Sequence, residues 1–597
     1  MKKILFCLLL LFFGLESSAQ TISEKEVFST EFKGNIDLYN FIIDSLTGTY
    51  CYAYFMEDDK KYFIISNNSM SEKYDVVNVS EAVFDSKGNY YTVTANYKED
   101  YGIDNYFVIA NGKTVLNFDY IDSYNAGINN ADEYVFIFKQ FDKYKIGYYS
   151  IKKGLRQSEP YDMVKAIYNL DLSPPLEEEG GGRREKEDFY TDENGERGFV
   201  AITDGKAKLI FETKEILTNY SDINEASLTK NKNSALSFIA KKNGRFYESV
   251  GNEFVVSGGI EYNSFMKVNP PVLFNERNEP VYVAGDSLGE NIYDNYIVIG
   301  NVKEQAYMRD NRSMKTPRFD YGITDLKVDK ESISYFGTEE IIIPAHKSQP
   351  NEEVYDQYYS RTFLIKNGAA DELGYNTGKV IYFKDGQILY SGISDLTKKD
   401  YLLMQSNGIS KIILNKKMYN EIYDYGISPG GEIYYVGQNY EDTVNNTKFE
   451  SHLYFGDNLV GKYEYLVIQY MNNTSSVLKF DSRNNYAYIA GEKFDSISSK
   501  DFVYTNNGKL PIPKTNAGII KKFNYIWGLM YSKSDKLFYI AEFKKDEDKY
   551  EMEMFADNVS MGKPYDLIGE LNYNEGTDQL KFFALRENKI YSVTIKF

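Results

Sequence analysis

Residues 385–392 read Asp-Gly-Gln-Ile-Leu-Tyr-Ser-Gly, and this stretch decides the fold. A turn residue, Gly386, is followed by an apolar residue two positions on, an aromatic residue four on and a small residue six on. Versions of this pattern, which we call anchors, start at turn residues Gly48, Gly88, Asp132, Ser234, Asn278, Glu331, Gly386, Gly431, Asn484, Asp535 and Asp578, with a weaker one at Arg197. The twelve anchors are 37 to 65 residues apart, about 48 on average. Such a period indicates a repeat architecture.

Between the anchors, the sequence has the residue alternation of β-strands and the turn residues of β-hairpins. β-branched and aromatic residues alternate with others over residues 236–240, 486–490 and 537–541. Asn-Gly and Asp-Gly pairs, as at 111–112 and 507–508, favour tight hairpins. A unit of this length has room for four short strands, which is the size of a β-propeller blade. The sequence therefore predicts an all-β fold of propeller blades with four antiparallel strands each, and a β-helix is the more distant alternative.

About twelve units suit two propellers better than one, since single propellers have four to eight blades. We expect a first propeller of about six blades over residues 20–305, a basic linker or loop at 306–320, and a second of about six blades over 321–597. The last unit holds only two clear strands, so strands from residues 27–43 are candidates to complete it. In that case the rings interleave or the chain forms one large ring. Otherwise each ring closes separately.

Residues 426–437 carry a family resemblance. They read Gly-Ile-Ser-Pro-Gly-Gly-Glu-Ile-Tyr-Tyr-Val-Gly, which resembles the repeat of TolB-type (WD40-like, PD40) β-propellers, where a Ser-Pro-Asp-Gly turn precedes an apolar-x-aromatic strand. Gly430 stands where that repeat has aspartate, and residues 84–88 and 480–484 match more loosely. The resemblance implies an extracytoplasmic propeller that binds proteins or cell-envelope components, and no family binding residue transfers to a numbered position.

The N-terminus is typical of a cleaved secretory signal. Two lysines precede an apolar run from Ile4 to Leu15, and the small residues Ser17 and Ala19 follow at the positions that a signal peptidase reads. We expect residues 1–19 to be removed and the protein to be exported to the periplasm, the cell surface or the medium. The rest of the chain holds no apolar stretch long enough for a membrane-spanning helix.

Composition excludes several partners and chemistries. The formal net charge of -19 repels phosphate backbones, so nucleic acid is not an expected partner. After signal removal only Cys51 remains, which rules out an intramolecular disulfide. Residues 176–188, with three glycines and many charges, are expected to form an acidic, solvated loop.

No catalytic or metal-binding residue stands out. The chain has two histidines, His346 and His452, which are far apart, so a zinc site would depend on carboxylates. Ser428 lies in a G-x-S-x-G match, but a turn and a strand follow it instead of the helix that a nucleophile elbow requires. We expect no cofactor. A calcium ion held by propeller loops remains possible but has no motif to support it.

One basic cluster is a candidate site. Arg309, Arg312, Lys315 and Arg318 recur every third residue and would share one face of an extended three-per-turn segment. They could hold an anionic group on a partner. The alternative is a solvated linker between the two propellers.

The sequence as a whole favours an exported, non-catalytic binding or scaffold protein of the cell envelope. It would recognise a protein or envelope component through its blade loops. The alternatives are a glycan-active propeller enzyme with paired carboxylates, for which no spacing singles out a pair, and a cell-surface adhesion component. The oligomeric state is open.

Overall fold

The computed structural model describes residues 21–29, 41–43, 49–56, 60–66, 69–77, 82–97, 103–167, 190–191, 196–247, 251–289, 292–304, 323–329, 332–343, 357–367, 369–396, 400–408, 411–414, 418–443, 446–471, 474–493, 499–513, 523–546, 549–569, 571–587 and 589–597. Within these ranges the regular structure is all β-strand. No described helix is long and apolar enough to cross a membrane. The chain forms two compact units: unit 1 comprises Met1–Asn40 with Lys417–Phe597, and unit 2 comprises Phe41–Lys416. The expected linker at 306–320 lies outside the described residues, and the boundary drawn there stays a prediction.

Unit 2 is a succession of antiparallel blades, numbered here in chain order, and in most of them the strands pair in sequence. Its first four blades are blade 1, β2 (Phe41–Ile43), β3 (Tyr50–Met56), β4 (Lys61–Ser66) and β5 (Ser69–Met70); blade 2, β6 (Val76–Val77), β7 (Val83–Phe84), β8 (Tyr90–Tyr97), β9 (Ile103–Ala110) and β10 (Lys113–Phe118); blade 3, β11 (Tyr120–Ile128), β12 (Tyr134–Gln140), β13 (Lys143–Ser150) and β14 (Gly154–Gln157); and blade 4, β15 (Met163–Ala166), β16 (Phe199–Thr203), β17 (Lys206–Ile210) and β18 (Glu215–Leu217).

The remaining blades of unit 2 follow the same order, and the last two join into one eight-stranded sheet. They are blade 5, β19 (Asp222–Ile223), β20 (Thr229–Lys230), β21 (Leu236–Lys241), β22 (Glu253–Ser257) and β23 (Ile260–Glu261); blade 6, β24 (Lys267–Phe274), β25 (Pro280–Gly289), β26 (Ile292–Ile299) and β27 (Val302–Glu304); blade 7, β28 (Ile323–Asp329), β29 (Ser332–Ile343), β30 (Gln357–Lys366) and β31 (Ala369–Tyr375); and blade 8, β32 (Ile381–Tyr382), β33 (Ile388–Ile393), β34 (Tyr401–Ser406) and β35 (Lys411–Ile413).

Unit 1 contains four blades and one separate hairpin. They are blade 9, β36 (Glu421–Ile427), β37 (Ile433–Thr443), β38 (Asn446–Phe455) and β39 (Asn458–Tyr463); blade 10, β40 (Tyr465–Leu466), β43 (Lys479–Phe480), β44 (Tyr486–Lys493), β45 (Ser499–Thr505) and β46 (Gly508–Lys509), with the hairpin β41 (Gln469–Met471) and β42 (Thr474–Ser476); blade 11, β47 (Tyr525–Tyr531), β48 (Leu537–Asp546), β49 (Lys549–Ala556) and β50 (Val559–Tyr565); and blade 12, β51 (Leu567–Ile568), β52 (Asn572–Asn574), β53 (Gln579–Arg586), β54 (Lys589–Lys596) and β1 (Thr21–Ser29).

These twelve blades confirm the predicted fold class. The strand positions within a blade are called A to D in sheet order, and the anchor strand is strand B, such as β33 or β44, an interior strand of its sheet. Each core cluster lies between two consecutive blades of one unit. Val436 and Leu453 of blade 9, for example, pack with Tyr488 and Ala490 of blade 10. Face-to-face packing of successive sheets is how propeller blades bury their apolar faces.

The last blade is completed from the other end of the chain. Strand β1 pairs antiparallel with β54, from Thr21 opposite Lys596 to Ser29 opposite Lys589. From the sequence, strands within residues 27–43 are candidates to complete this blade, with separate closure of each ring as the alternative. That range was wrong for two reasons: the pairing strand begins at Thr21, and β2 pairs with β3 of blade 1 instead.

The anchor turns share one backbone geometry. Nine described turn residues have left-handed φ values between +49° and +85°: Gly88, Asp132, Ser234, Asn278, Gly386, Gly431, Asn484, Asp535 and Asp578. In the turn after β43, the Asn484 N–H donates to the Asp481 carbonyl, and the Asp481 carboxylate accepts N–H bonds from Arg483 and Asn485 at 2.9 and 2.7 Å. This three-residue loop with a left-handed bulge matches the twist of a β-hairpin. Glycine, asparagine and aspartate tolerate that conformation, which explains the residue types at the anchors.

The left-handed residue also bonds to the preceding blade. Asp535 of blade 11 accepts the N–H and the Oγ–H of Ser482 of blade 10, both at 2.7 Å. Asp132 binds Ser86 of blade 2 in the same way, at 3.0 and 2.6 Å. Single bonds of this kind join Asn278 to Lys232, Asn484 to Gly430 and Asp578 to Lys533. The anchor turn therefore ties neighbouring blades together as well as closing its own hairpin.

Candidate functional site

The basic cluster predicted from the sequence, Arg309, Arg312, Lys315 and Arg318, lies outside the described residues. So do the acidic loop at 176–188, the signal segment 1–19 and His346. His452 is described: it is buried on β38, its Nε2 contacts the Glu450 carboxylate, and its ring lies edge-on to Tyr419 at 5.7 Å. Within the described ranges, no three His, Cys, Asp or Glu side chains are grouped to hold a metal ion.

The anchor tyrosines are core residues. Tyr282, Tyr390, Tyr488 and Tyr539, each four positions after its turn residue, are fully buried. Six positions after Gly431, an ideal Cβ on Gly437 would lie 2.5 Å from the Tyr419 ring, so the strand needs a residue without a side chain there. The residues that define the repeat therefore pack in the core, and a functional site has to be sought at the blade ends.

Exposed aromatic side chains are concentrated at one end of the blades, where strand B turns into strand C. Apart from Tyr124 and Tyr382, every exposed phenylalanine or tyrosine in the described chain lies there. In unit 2 these are Phe55, Tyr97, Tyr120, Phe141 and Tyr247, and in unit 1 they are Tyr440, Phe449, Tyr525 and Tyr550. The opposite end carries the anchor turns. The two ends of the blades therefore differ in chemistry.

In unit 2, tyrosines of blades 2 and 3 form a continuous group at this end. The rings of Tyr106 and Tyr120 meet edge-on at 5.4 Å, and Lys139 Nζ lies 5.7 Å from the centre of the Tyr144 ring. Burial, followed by the nearby Asp122 and the tyrosines beside it, raises the pKa of Tyr120 to about 12. These phenols are neutral at physiological pH and can both donate and accept hydrogen bonds. Phe141, 86% exposed, lies in the turn between β12 and β13.

In unit 1, the same end is extended by two-stranded projections. Strands β37 and β38 pair as far as Thr443 and Asn446, whereas β36 reaches only Gln438. Tyr440 and Phe449 are paired on this projection with ring centres 6.0 Å apart. Strands β48 and β49 project similarly and present Tyr550. Such hairpins add aromatic surface without changing the blade core.

Two glutamates, Glu133 and Glu212, lie close together at the anchor end of blades 3 and 4. Arg156 Nη2 is 2.9 Å from Glu133 and 4.0 Å from Glu212, and Asn129 Nδ2 donates to both carboxylates. Burial opposes ionisation of Glu133, but bonds from Arg156, Lys153 and Asn129 outweigh it and lower its pKa. Burial raises the pKa of Glu212. The two acids therefore titrate in opposite directions from their ordinary values.

The sequence did not single out either feature. Glu133 and Glu212 are separated by a stretch that includes the acidic loop, and only the packing of blade 3 against blade 4 brings them together. The exposed aromatics lacked a signal because buried and exposed tyrosines occupy the same alternating strands. Their position near the B–C hairpin turn, either on strands B and C or at the start of strand A, is the feature that distinguishes them.

Comparison with known proteins adds no family. No family model matches the chain, and no curated protein matches it. Among solved structures, the chain is similar to a eukaryotic initiation factor, with 11% identity over 71% of this chain and 95% of that one and a TM-score of 0.24.

The chain is also similar to two further solved structures. The β-propeller domain of the Trilobed protease from Pyrococcus furiosus shows 10% identity over 46% of this chain and 95% of that one, with a TM-score of 0.17. Virginiamycin B lyase from Staphylococcus aureus shows 11% identity over 53% and 95%, with a TM-score of 0.19. At such low TM-scores we assign neither fold nor function from these similarities, and the fold rests on the sheets described above.

Proposed function

We propose that this chain is an exported, non-catalytic binding or scaffold protein of the cell envelope that recognises a protein or envelope component through the B–C ends of its blades. One observation carries the proposal: the exposed aromatic side chains are gathered at that end in both units. Tyrosine and phenylalanine supply large contact area at low entropic cost, and they are enriched where proteins bind partners. An exposed aromatic surface of this kind marks an interaction site.

The export and family parts of the proposal rest on sequence. Residues 1–19 have the pattern of a signal peptide. The TolB-type resemblance of residues 426–437 is one of sequence, and its turn has the geometry shared by the other anchor turns: the buried Ser428 accepts the Glu432 N–H at 3.1 Å, and Gly431 takes the left-handed position. Ser428 thus acts as a turn residue and not as a nucleophile. Fractionation and surface labelling of intact cells test the location and separate a periplasmic scaffold from a surface adhesin.

The binding surface is tested by removing exposed rings. Tyr97→Ser and Phe141→Ser in unit 2, and Tyr550→Ser in unit 1, remove aromatic area at the B–C ends. Crosslinking with mass spectrometry in the native cell should identify neighbours of the wild-type protein, and these neighbours should be lost in the variants. Ile260→Ser, 62% exposed on the edge strand β23 at the anchor end, is the matched control and should leave the crosslinks unchanged. Identical crosslinks in all four variants would remove the basis of the proposal.

The basic cluster extends the proposal to anionic groups on the partner. Arg309, Arg312, Lys315 and Arg318 are suited to a phosphate, sulfate or carboxylate, since arginine forms forked hydrogen bonds with such groups. Reversing all four charges should weaken the interaction and flatten its salt dependence. An unchanged interaction would leave the cluster as a solvated linker.

A glycan-active enzyme is the second candidate, and the opposite pKa shifts of Glu133 and Glu212 favour it. Two carboxyl groups whose pKa values are shifted in opposite directions can act as the acid and the base in glycoside cleavage. Turnover of envelope or environmental polysaccharides, abolished by Glu212→Gln but not by Glu159→Gln on the exposed surface, would establish the enzyme. A stable partner without turnover would favour the scaffold.

A further inference from the structure

Unit 1 contains a cavity of about 460 Å³ at the anchor end of its blades. Its floor is formed by the anchor turns of blades 10, 11 and 12, which are joined by the bonds of Asp535 to Ser482 and of Asp578 to Lys533. This is the size range of sites that hold small-molecule ligands. It lies at the opposite ends of the blades from the aromatic surface proposed above, so it is a separate site.

Three aromatic side chains line the cavity: Phe480, Tyr531 and Tyr573. Tyr573 is held in place, because its hydroxyl donates to Asp578 at 2.7 Å and accepts the Lys533 N–H at 2.6 Å. Burial, and then the nearby Asp481 and Asp557, raises the pKa of Tyr531 to about 12, so its hydroxyl stays neutral. The cavity therefore offers three aromatic side chains among polar ones, and Tyr573 is fixed by its two hydrogen bonds.

The two aspartates of the lining are committed to the fold. Asp481 accepts two N–H bonds of its own turn, and Asp535 accepts both donors of Ser482. These bonds lower the pKa of Asp535, so it is ionised and cannot act as a general acid at neutral pH. Arg483 lies 3.6 Å from Asp481 and 3.5 Å from Asp535 and offsets their charge. These two aspartates thus stabilise the turns that line the cavity.

Two lining side chains remain available to a ligand. Lys533 and Glu575 are exposed at the cavity, and neither side chain has a hydrogen-bond or ion-pair partner among the described residues. One is a donor and the other an acceptor, which matches the hydroxyl groups of a sugar, since each hydroxyl both donates and accepts. A charged ligand is less suitable. An anion would face the carboxylates of Asp481, Asp535 and Glu575, and a cation would face Lys533 and Arg483.

We propose that this cavity is a binding site for a neutral saccharide. The apolar face of a pyranose ring packs on the aromatic walls, and neighbouring hydroxyl groups bond to Lys533 and Glu575. The proposal is for binding alone: Asp481 and Asp535 are engaged by the turns, and Glu575 serves as a hydrogen-bond acceptor. It requires neither the carboxylate pair of unit 2 nor the aromatic ends of the blades.

The test is titration of the full-length secreted chain with uncharged methyl glycosides and neutral disaccharides, followed by calorimetry and ligand-observed NMR. We expect at least one neutral sugar to bind with a dissociation constant of about 0.1–10 mM. Lys533→Ala and Glu575→Ala, both at exposed positions that the fold does not need, should each weaken binding about tenfold. Lys25→Ala, an exposed lysine on β1, is the matched control and should bind like the wild type. Tyr550→Ser should also bind sugar normally, which separates this site from the proposed partner surface.

Several outcomes would overturn the proposal. One is the absence of binding by every neutral sugar up to about 50 mM. Another is binding that Lys533→Ala and Glu575→Ala leave unchanged. A third is preference for a charged probe, glucuronate or choline, over its neutral counterparts. Partners retained in Tyr550→Ser, with sugar binding weakened by Lys533→Ala and Glu575→Ala, would refute the partner surface alone. Partners lost in Tyr550→Ser, with sugar binding unaffected by Lys533→Ala and Glu575→Ala, would refute this site alone.

Discussion

At the scale of single residues, the left-handed position of the anchor turn has two roles: it adopts a strained backbone conformation, and it bonds to the preceding blade. The two roles select different side chains. Glycine relieves backbone strain but offers no hydrogen-bond acceptor, as at Gly431. Aspartate and asparagine tolerate the strain and also reach the preceding blade, as Asp535 reaches Ser482. The choice of residue at this position therefore decides whether two blades are tied at that end.

Substitutions at Asp535 separate the effect of backbone strain from the effect of the bond to the preceding blade. Asp535→Asn should be nearly neutral, because Asn484 and Asn278 make the equivalent bond. Asp535→Gly loses the bonds to Ser482 and should cost about 1 kcal/mol. Asp535→Ala adds the strain of a left-handed alanine, about 1 kcal/mol more. Hydrogen exchange at the Ser482 amide measures the local effect, which should follow the order Asn, Gly, Ala.

The control is Asp385→Ala, since the described bonds of Asp385 stay within its own turn, to Gln387. Its effect should be confined to blade 8. Equal exchange at Ser482 in all three Asp535 variants would show that the tie between the turns does not form.

What could be predicted at this scale was the residue that packs in the core, and not the residue that lines a candidate site. The period identified Tyr390 and Tyr488 because burial in a strand imposes a fixed spacing. Lys533, Glu575 and Glu212 follow no spacing, since turns and loops place them. Only the positions of neighbouring blades reveal what they face.

At the scale of elements, β1 is an edge strand of blade 12 and pairs only with β54. Arg586 donates to both carboxylate oxygens of Glu24, at 3.2 and 2.6 Å, and Lys589 lies 2.9 Å from Glu26. Tyr565 also donates to Glu24. These side chains hold an edge strand that has no covalent neighbour in its blade.

Acid should loosen β1 before the rest of unit 1. Burial opposes ionisation of Glu24, but the bonds from Arg586 and Tyr565 outweigh it and lower the pKa of Glu24. A lowered carboxyl pKa stabilises the strand above the ordinary value of about 4.3 and ceases to do so as pH falls through the folded pKa. Exchange of the β54 amides should therefore rise below about pH 4.

In Glu24→Gln, β1 should already be loosened at neutral pH. The free energy of unfolding should fall by about 1 kcal/mol, because the Glu24–Arg586 pair is partly exposed. Lys25→Ala is the control on the same strand and should behave like the wild type. A β54 exchange profile that is identical in Glu24→Gln and wild type at all pH values would contradict this account.

The projection of β37 and β38 is predicted to serve binding and not folding. Replacing residues 440–449 by a two-residue turn removes Tyr440 and Phe449 but none of the buried residues that blade 9 shares with blade 10. Thermal stability should change little, and crosslinks that involve unit 1 should disappear. The reverse result, lost stability with partners retained, would make the projection part of the core.

At the scale of the whole molecule, the sequence predicted the architecture from its period. The all-β class, the four-stranded blade and the count of about twelve units are confirmed, because each depends on a local pattern repeated many times. The grouping of blades into units depends on which blades meet in space, and no local pattern encodes that. The two-propeller boundary at 306–320 accordingly stays a prediction.

Two compact units should unfold in separable steps, since multidomain chains do not follow two-state behaviour. Asp132→Gly removes a tie in unit 2, and Asp535→Gly removes the equivalent tie in unit 1. Calorimetry should show each variant lowering a different transition by a few degrees. A single transition shifted equally by both would mean that the units unfold together.

The pairing of β1 with β54 has a consequence for biosynthesis. Strand β1 of unit 1 emerges from the ribosome before all of unit 2, and its partner β54 is made after all of unit 2. Unit 2 is a continuous segment that can fold during translation, whereas β1 must stay unpaired until β54 has been made. A chain that stops before β54 would keep the earlier blades and expose β1 as an unpaired edge, which is a template for pairing with another chain.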